Sequence, residues 1–297
     1  MVYLALSILS STAIFVVFKL IDRYKVFTLS AILVNYATAC IAGFFLSSNN
    51  PFTLSAVNSN WFPTAIIIGI LFIVMFYIIG KSTQTAGVAV TSVAAKMSVI
   101  FPIAFSIWYD TNDSLTILKI VGLLTALFAV YLTVYQKHSV KLNPRTIVLP
   151  VVLFIGMGIV DSFLKFAQST YINNDIKSIF STWVFAFAGL SGLFVVLFNG
   201  KAAKGLLSIK AWLLGVLLGV VNFGSMFFLI SALNHTDIST GQQAMGSVVF
   251  GIINIGIVAL GVLTGFIVFK ERPSRVNWVG IGLSVFAIYI LSLASQQ

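Results

Sequence analysis

Three lysines stand where a lysine is costly. Lys19, Lys96 and Lys165 fall inside long apolar runs of a 297-residue chain. Lys96 is near the centre of its run (84–108), too deep for its stem to carry the ammonium to a membrane surface. A charge at that depth costs at least ~3 kcal/mol, so it must face a polar cavity or a partner. On a helix its stripe reads Thr85, Ala89, Ser92, Lys96, small and polar as a cavity wall requires. Such a lysine can hold the carboxylate or phosphate of a substrate. The alternative is a structural lysine held by backbone carbonyls or by an acid.

A second stripe, Gln243, Ser247, Phe250 and Asn254, lies in a later run. The two stripes are expected to face each other across a substrate site, with Asn222 (and Ser225 on its helix) adding to the lining. Asp161 and Lys165 are spaced i, i+4 and can pair on one helix face, as a gating or proton-coupled pair or as a self-satisfied one. Lys19 (VFKL, 17–20) occupies a place like that of Lys165 (FLKF, 163–166). That admits a shared gating role or, for Lys19, simple snorkelling. His138 and His235 are far apart, with no metal-ligand spacing. No Gly-rich phosphate loop or His-Glu-x-x-His pattern is present, so neither metal, cofactor nor ATP-driven chemistry is expected.

The elements that must position these residues follow from composition. The chain is 59% hydrophobic and only 8% charged, with mean hydropathy +1.07. Soluble domains carry about 25% charged residues, so the expected class is an all-α integral membrane protein. Ten apolar segments can be drawn, at about 2–21, 27–46, 63–80, 84–108, 116–135, 147–168, 177–198, 210–232, 241–268 and 277–294. Ten-residue alternating strands, the mark of an outer-membrane barrel, are missing. The first run has no basic region before it and reads as a span, not a signal peptide. Cys40 reads as a small buried hydrophobe.

The net charge of +10 sits mostly between the runs, which argues topology and not nucleic-acid binding. Arg23, Lys25, Lys81, Lys137, Lys141, Arg145, Lys201, Lys204, Lys210, Lys270, Arg272 and Arg275 fall on one side, against Lys119 and Lys177 on the other. The rich side is expected in the cytoplasm, which puts both termini outside. Asn35, Asn222 and Gln242 are expected to bond between helices. Gly215/Gly219 and Gly261/Gly265 give GxxxG spacing, read as close packing.

Residues 84–132 align without a gap on 242–290: Gln84 on Gln242, Gly122 on Gly280, Phe128-Ala129 on Phe286-Ala287, Asp113 on Glu271. A five-span repeat (1–135), a basic connector (136–145) and a second five-span repeat (146–297) follow. An odd number of spans inverts the second copy, a recurring transporter plan with its site between the halves. The segment FKERPSRVNWVGIGLSVFAIYIL (269–291) and its weaker counterpart YDTNDSLTILKIVGLLTALFAVYL (109–132) resemble the drug/metabolite transporter superfamily, in its EamA-like ten-span branch. Pro102 fits that pattern, while Leu260 departs from it. The outward termini also depart from the branch's usual orientation. FKLIDRYK (18–25) is similar to the first loop of the L-rhamnose–proton symporter relatives. The resemblance implies a secondary active transporter of a small metabolite in the cytoplasmic membrane, working by alternating access. Its expected partners are a small-molecule substrate, the bilayer and a coupling proton or other ion, with no nucleic acid, in a monomer or homodimer. A channel or intramembrane enzyme is the alternative from another class.

Overall fold

Apolar residues occupy every face of the long runs, and such segments fold as helices that need apolar surroundings on all sides. The structure, a computed structural model, describes residues 2–85, 95–109, 113, 115–134, 144–235, 244–269 and 274–294. Among the described residues every regular element is helical. These are α1 (Val2–Arg23), α2 (Thr28–Leu46), α3 (Leu54–Val57), α4 (Phe62–Thr85), α5 (Ile100–Tyr109), α6 (Ile117–Val134), α7 (Pro144–Thr170), α8 (Lys177–Leu197), α9 (Gly200–Gly205), α10 (Ile209–Leu233), α11 (Gly246–Phe269) and α12 (Arg275–Ala294).

Six of these helices are long and apolar enough to cross a membrane: α1, α2, α4, α7, α8 and α10. The 22 residues of α1 span about 33 Å at 1.5 Å each, close to the ~30 Å of a bilayer's hydrocarbon core. Four shorter apolar helical runs accompany them, Ala95–Tyr109, Ile117–Ala129, Gly246–Gly261 and Trp278–Leu291. No more than half of each long helix is buried within the protein. The rest presents side chains such as Phe45 and Leu213 outward, 77% and 65% exposed. Contiguous apolar surface of that extent suits lipid and not water, and the fold is compatible with a multi-pass membrane protein.

The two halves of the sequence interleave. The extensive contacts are α6 with α12, α1 with α10, α2 with α10 and α8, and α4 with α8, each joining the first half to the second. One large core runs through α1, α2, α4, α7, α8 and α10, with Tyr36, Phe180, Phe185 and Leu218 fully buried at its centre. Two smaller cores, around Val99, Phe250, Ala126 and Leu291, hold α5, α6, α11 and α12 to one another and to residues of α1 and α10 such as Ile8 and Leu233. The helices α1, α2, α4, α7, α8 and α10 thus share the large core, and α5, α6, α11 and α12 meet in the smaller ones.

Close packing is most evident where α10 crosses α2. A Cβ at Gly215 would lie 2.6 Å from Val34 Cβ, and one at Gly219 only 2.6 Å from the Asn35 carbonyl oxygen. The first GxxxG pair therefore lets two backbones meet. Beside it Asn222 Nδ2 donates to Asn35 Oδ1 at 3.1 Å, an interhelical bond of the expected kind. A Cβ on Gly261, of the second pair, would meet nothing within 4 Å, so that glycine is not needed for a close approach.

Helix bounds depart from the sequence expectation at three points. The helix expected to end near 80 continues through Thr85, with no Gly or Pro among residues 81–85 to stop it; Gln84 and Thr85 so belong to α4 and not to the next span. The helical run through Lys96 is broken by a turn at Ser98–Val99. Pro102 explains the break, since it has no N–H for the Ser98 carbonyl four residues back and its ring crowds that oxygen. The bonds there tighten to Val99 N to Lys96 O and Phe101 N to Ser98 O. Finally, α11 starts at Gly246 instead of 241, for a reason that lies in the site below.

Candidate functional site

The broken helix delivers Lys96 into the middle of the assembly, next to the turn that Pro102 imposes. A cavity of about 110 Å³ lies there, walled by both helix groups. The six-helix group contributes Ser7 and Ser11 from α1, Asp161 from α7, and Asn222 and Ser225 from α10. Lys96 and Asn254 come from the other group. Phe15, Phe72 and Phe76 close it with aromatic surface. On the α1–α10 wall, the hydroxyls of Ser11 and Ser225 are 2.6 Å apart, and Ser7 Oγ donates to the Ser225 carbonyl. Asn254 Nδ2 donates to the Phe250 carbonyl at 2.9 Å.

Lys96 and Asp161 are the charged members of this lining. Both line the same cavity, yet they form no ion pair within 4 Å. Lys96 Nζ instead sits 5.7 Å from the centroid of the Phe15 ring, a cation–π arrangement worth ~0.5–2 kcal/mol. A carboxylate facing an ammonium with space between them can admit a third charged group. Asn254 sits eight residues into α11, about 12 Å from its start at 1.5 Å per residue.

The expected Asp161–Lys165 pair is not formed. Lys165 Nζ donates to Gln168 Oε1 at 3.1 Å, and Gln168 Nε2 donates to Asn234 Oδ1 at 2.9 Å. A partner at i+3 is as reachable on a helix as one at i−4. This leaves Asp161 facing Lys96. Ser247 also departs from expectation, because it faces Asp113 and not the cavity. Lys19, half-buried towards the end of α1, does not line the cavity. Ser92 and Gln243 lie outside the described residues, as do Ala89 and Gln242.

The residue that sequence reasoning passed over is Asp113, between α5 and α6. Its carboxylate accepts four hydrogen bonds: from Ser106 Oγ at 2.6 Å, Lys119 Nζ at 2.7 Å, Ser247 N at 2.7 Å and Ser247 Oγ at 2.5 Å. Asp113 and Lys119 are both fully buried. A carboxylate on the first free N–H groups of a helix satisfies them and complements the helix dipole. This is why α11 begins where it does. Burial pushes the Asp113 carboxyl up, but hydrogen bonds from Lys119, Ser106 and Ser247 outweigh it and hold the group below its usual range. Lys165 lies against the same helix start: a Cβ on Gly246 would be 2.8 Å from Lys165 Cε. Asp113, Lys119, Ser247, Lys165, Gln168 and Asn234 thus gather around the start of α11 as a buried polar cluster drawn from both helix groups. Its sequence signal was Asp113 standing where the second half has Glu271.

No family model matches the chain. Over 296 residues it is 29% identical to an uncharacterized protein of Haemophilus influenzae, covering 97% of this chain and 96% of that one. A solved structure described only as the crystal structure of a protein superposes with a TM-score of 0.71 at 14% identity, covering 98% of each chain. At that identity the likeness is one of fold alone.

Proposed function

We propose that this protein is a secondary active transporter that carries a small metabolite with an anionic group across the cytoplasmic membrane by alternating access. The observation that supports this most is the pair of opposite charges held open across the central cavity. A structural ion pair buried from water recovers its desolvation cost only by closing to good geometry. Lys96 and Asp161 do not close, and a cavity of about 110 Å³ lies beside both.

In this reading the substrate's carboxylate or phosphate takes Lys96, while Asn254, Asn222 and the α1–α10 serines hold its other polar groups. Asp161, relieved of its lysine, is then free to take a proton or another cation, which ties transport to an ion gradient. The group of α5, α6, α11 and α12 moves against that of α1, α2, α4, α7, α8 and α10. The polar cluster around Asp113 would act as a seal, closing one end of the cavity and opening in the alternate state. Discontinuous helices beside a midplane site are a recurring means of presenting such groups, and the break at Ser98–Val99 fits that plan.

The ten-span, inverted-repeat architecture belongs to the same proposal. Six long helices and four shorter apolar ones support ten crossings, and the interleaved halves suit two copies of opposite orientation. The charge bias then puts both termini outside and the Asp113 seal on the outer face. The likeness to the drug/metabolite transporter superfamily agrees with this plan and leaves the substrate open. A thermal-shift screen of the purified protein across amino acids, organic acids, sugars and nucleotide precursors tests the anion site. Anionic solutes should stabilise the wild type and fail to stabilise Lys96→Ala. Equal stabilisation of both proteins by neutral solutes alone would contradict it.

A further inference from the structure

Beside the central cavity is a second pocket of about 190 Å³, between α5, α6 and α11. Its wall is aliphatic, from Ile100, Ile103, Leu123 and Leu124 among others, and its polar end is formed by Lys96 and Asn254. These two residues therefore line both cavities. The outer lip is open: Leu124 is 62% exposed and Ile100 48% exposed, on the apolar surface that a bilayer would cover.

We infer that this pocket holds the apolar tail of an amphiphilic monocarboxylate whose head group binds Lys96. Size and lining select the tail. A cavity of about 150 Å³ lined by aliphatic side chains stays dry and takes up benzene, so this larger one suits an alkyl or aryl group rather than water. The charge of Lys96 at the inner end selects the head. A neutral tail alone would leave an ammonium against hydrocarbon, which is costly, whereas a carboxylate pairs with it. A diacyl phospholipid is the wrong occupant, because its phosphate stays at the interface, about 15 Å from the midplane of a ~30 Å core. A single-chain carboxylate has a small head that can reach Lys96 with its tail pointing to the lipid.

This inference rests on Lys96 as the anion anchor of the proposed transport site, and it narrows the substrate class to carboxylates with an apolar group. The test is equilibrium binding of radiolabelled octanoate to the full-length protein in nanodiscs of zwitterionic lipid. Acetate, octanol and octylammonium serve as competitors. Saturable binding is expected, with acetate at least about tenfold weaker, equivalent to ~1.4 kcal/mol, and with no competition by octylammonium. Lys96→Met should abolish binding. Leu124→Trp, or Ile100→Trp on the opposite lip, should weaken it by a similar factor; both positions face outward, so folding tolerates the larger ring. Equal competition by octanol or octylammonium would overturn the inference on the wild type alone. If acetate matches octanoate, needs Lys96 and ignores Leu124→Trp, the anion anchor stands and the tail pocket falls. If octanoate still binds Lys96→Met but not Leu124→Trp, the anchor itself fails, and with it the head-group assignment.

Discussion

Lys96 and Asp161 face one cavity from two different helix groups and stop short of an ion pair. Their opposition joins a helix of the first sequence half to one of the second. It also gives the cavity a cation and an anion, so an anionic ligand must compete with Asp161 for Lys96. Asp161→Asn removes the carboxylate that competes with a substrate anion for Lys96. The variant should bind a stabilising anion more tightly, by about tenfold if the competition is worth ~1.4 kcal/mol, and transport it more slowly. Isothermal titration and proteoliposome uptake measure the two effects. Weaker binding would mean that Asp161 holds the substrate instead of competing with it.

Asp113 should carry stability out of proportion to its place in a connector. Replacing it with Asn takes the carboxylate from buried Lys119 and from the start of α11. Removing one member of a buried pair costs about 3–5 kcal/mol. The pH dependence follows from the sign of its shift. The carboxyl is held below its usual value in the folded protein. Its contribution is therefore complete above about pH 4, the ordinary Asp range, and is lost as the pH falls through the lower folded-state value. Thermal unfolding of the wild type should fall off below about pH 4, and that part of the loss should vanish in Asp113→Asn. An unchanged acid limb in the variant would remove Asp113 as its cause.

If the seal at that end closes the cavity, loosening it should expose the cavity wall. With Cys40→Ser as background, a cysteine placed by Ser11→Cys is expected to react slowly with a membrane-impermeant thiol reagent. Adding Gln168→Ala, which cuts the link between Lys165 and Asn234, should raise the labelling rate severalfold. Rates that do not change would show that the seal is not what limits access.

Glycine substitutions separate packing from sequence pattern. Gly219→Ala drives a methyl against the Asn35 carbonyl and Thr38, and overpacking of this kind costs about 1–3 kcal/mol. Gly261→Ala meets nothing and should be neutral or slightly stabilising, since alanine is the better helix former. Melting temperatures of the two variants decide this. Equal effects would mean that the α2–α10 crossing adjusts freely.

Much of this arrangement was legible in the sequence, and the illegible part has a physical reason. Apolar length placed the helices, and the cost of burying a charge singled out Lys96. Spacing on one helix suggested a pair for Asp161, but spacing reports only which partners are reachable, and Lys165 found Gln168 at i+3. The opposing Lys96 belongs to another helix, where no local pattern can point. Ser247 looked like cavity lining because its stripe contains Asn254. Its position at a helix start, however, makes its N–H and hydroxyl seek an acceptor, and Asp113 supplies one from a distant connector. Pro102 stands inside the apolar run 84–108, and apolar length alone does not register the break it imposes at Ser98–Val99.

The most direct test of a Lys96-centred transport site is counterflow in proteoliposomes, using whichever anion most stabilises the purified wild type. Vesicles preloaded with that anion should take up labelled anion transiently above equilibrium with the wild type. Lys96→Met, reconstituted to the same density and monodisperse on size exclusion, should show none. Counterflow by Lys96→Met equal to that of the wild type would contradict the account.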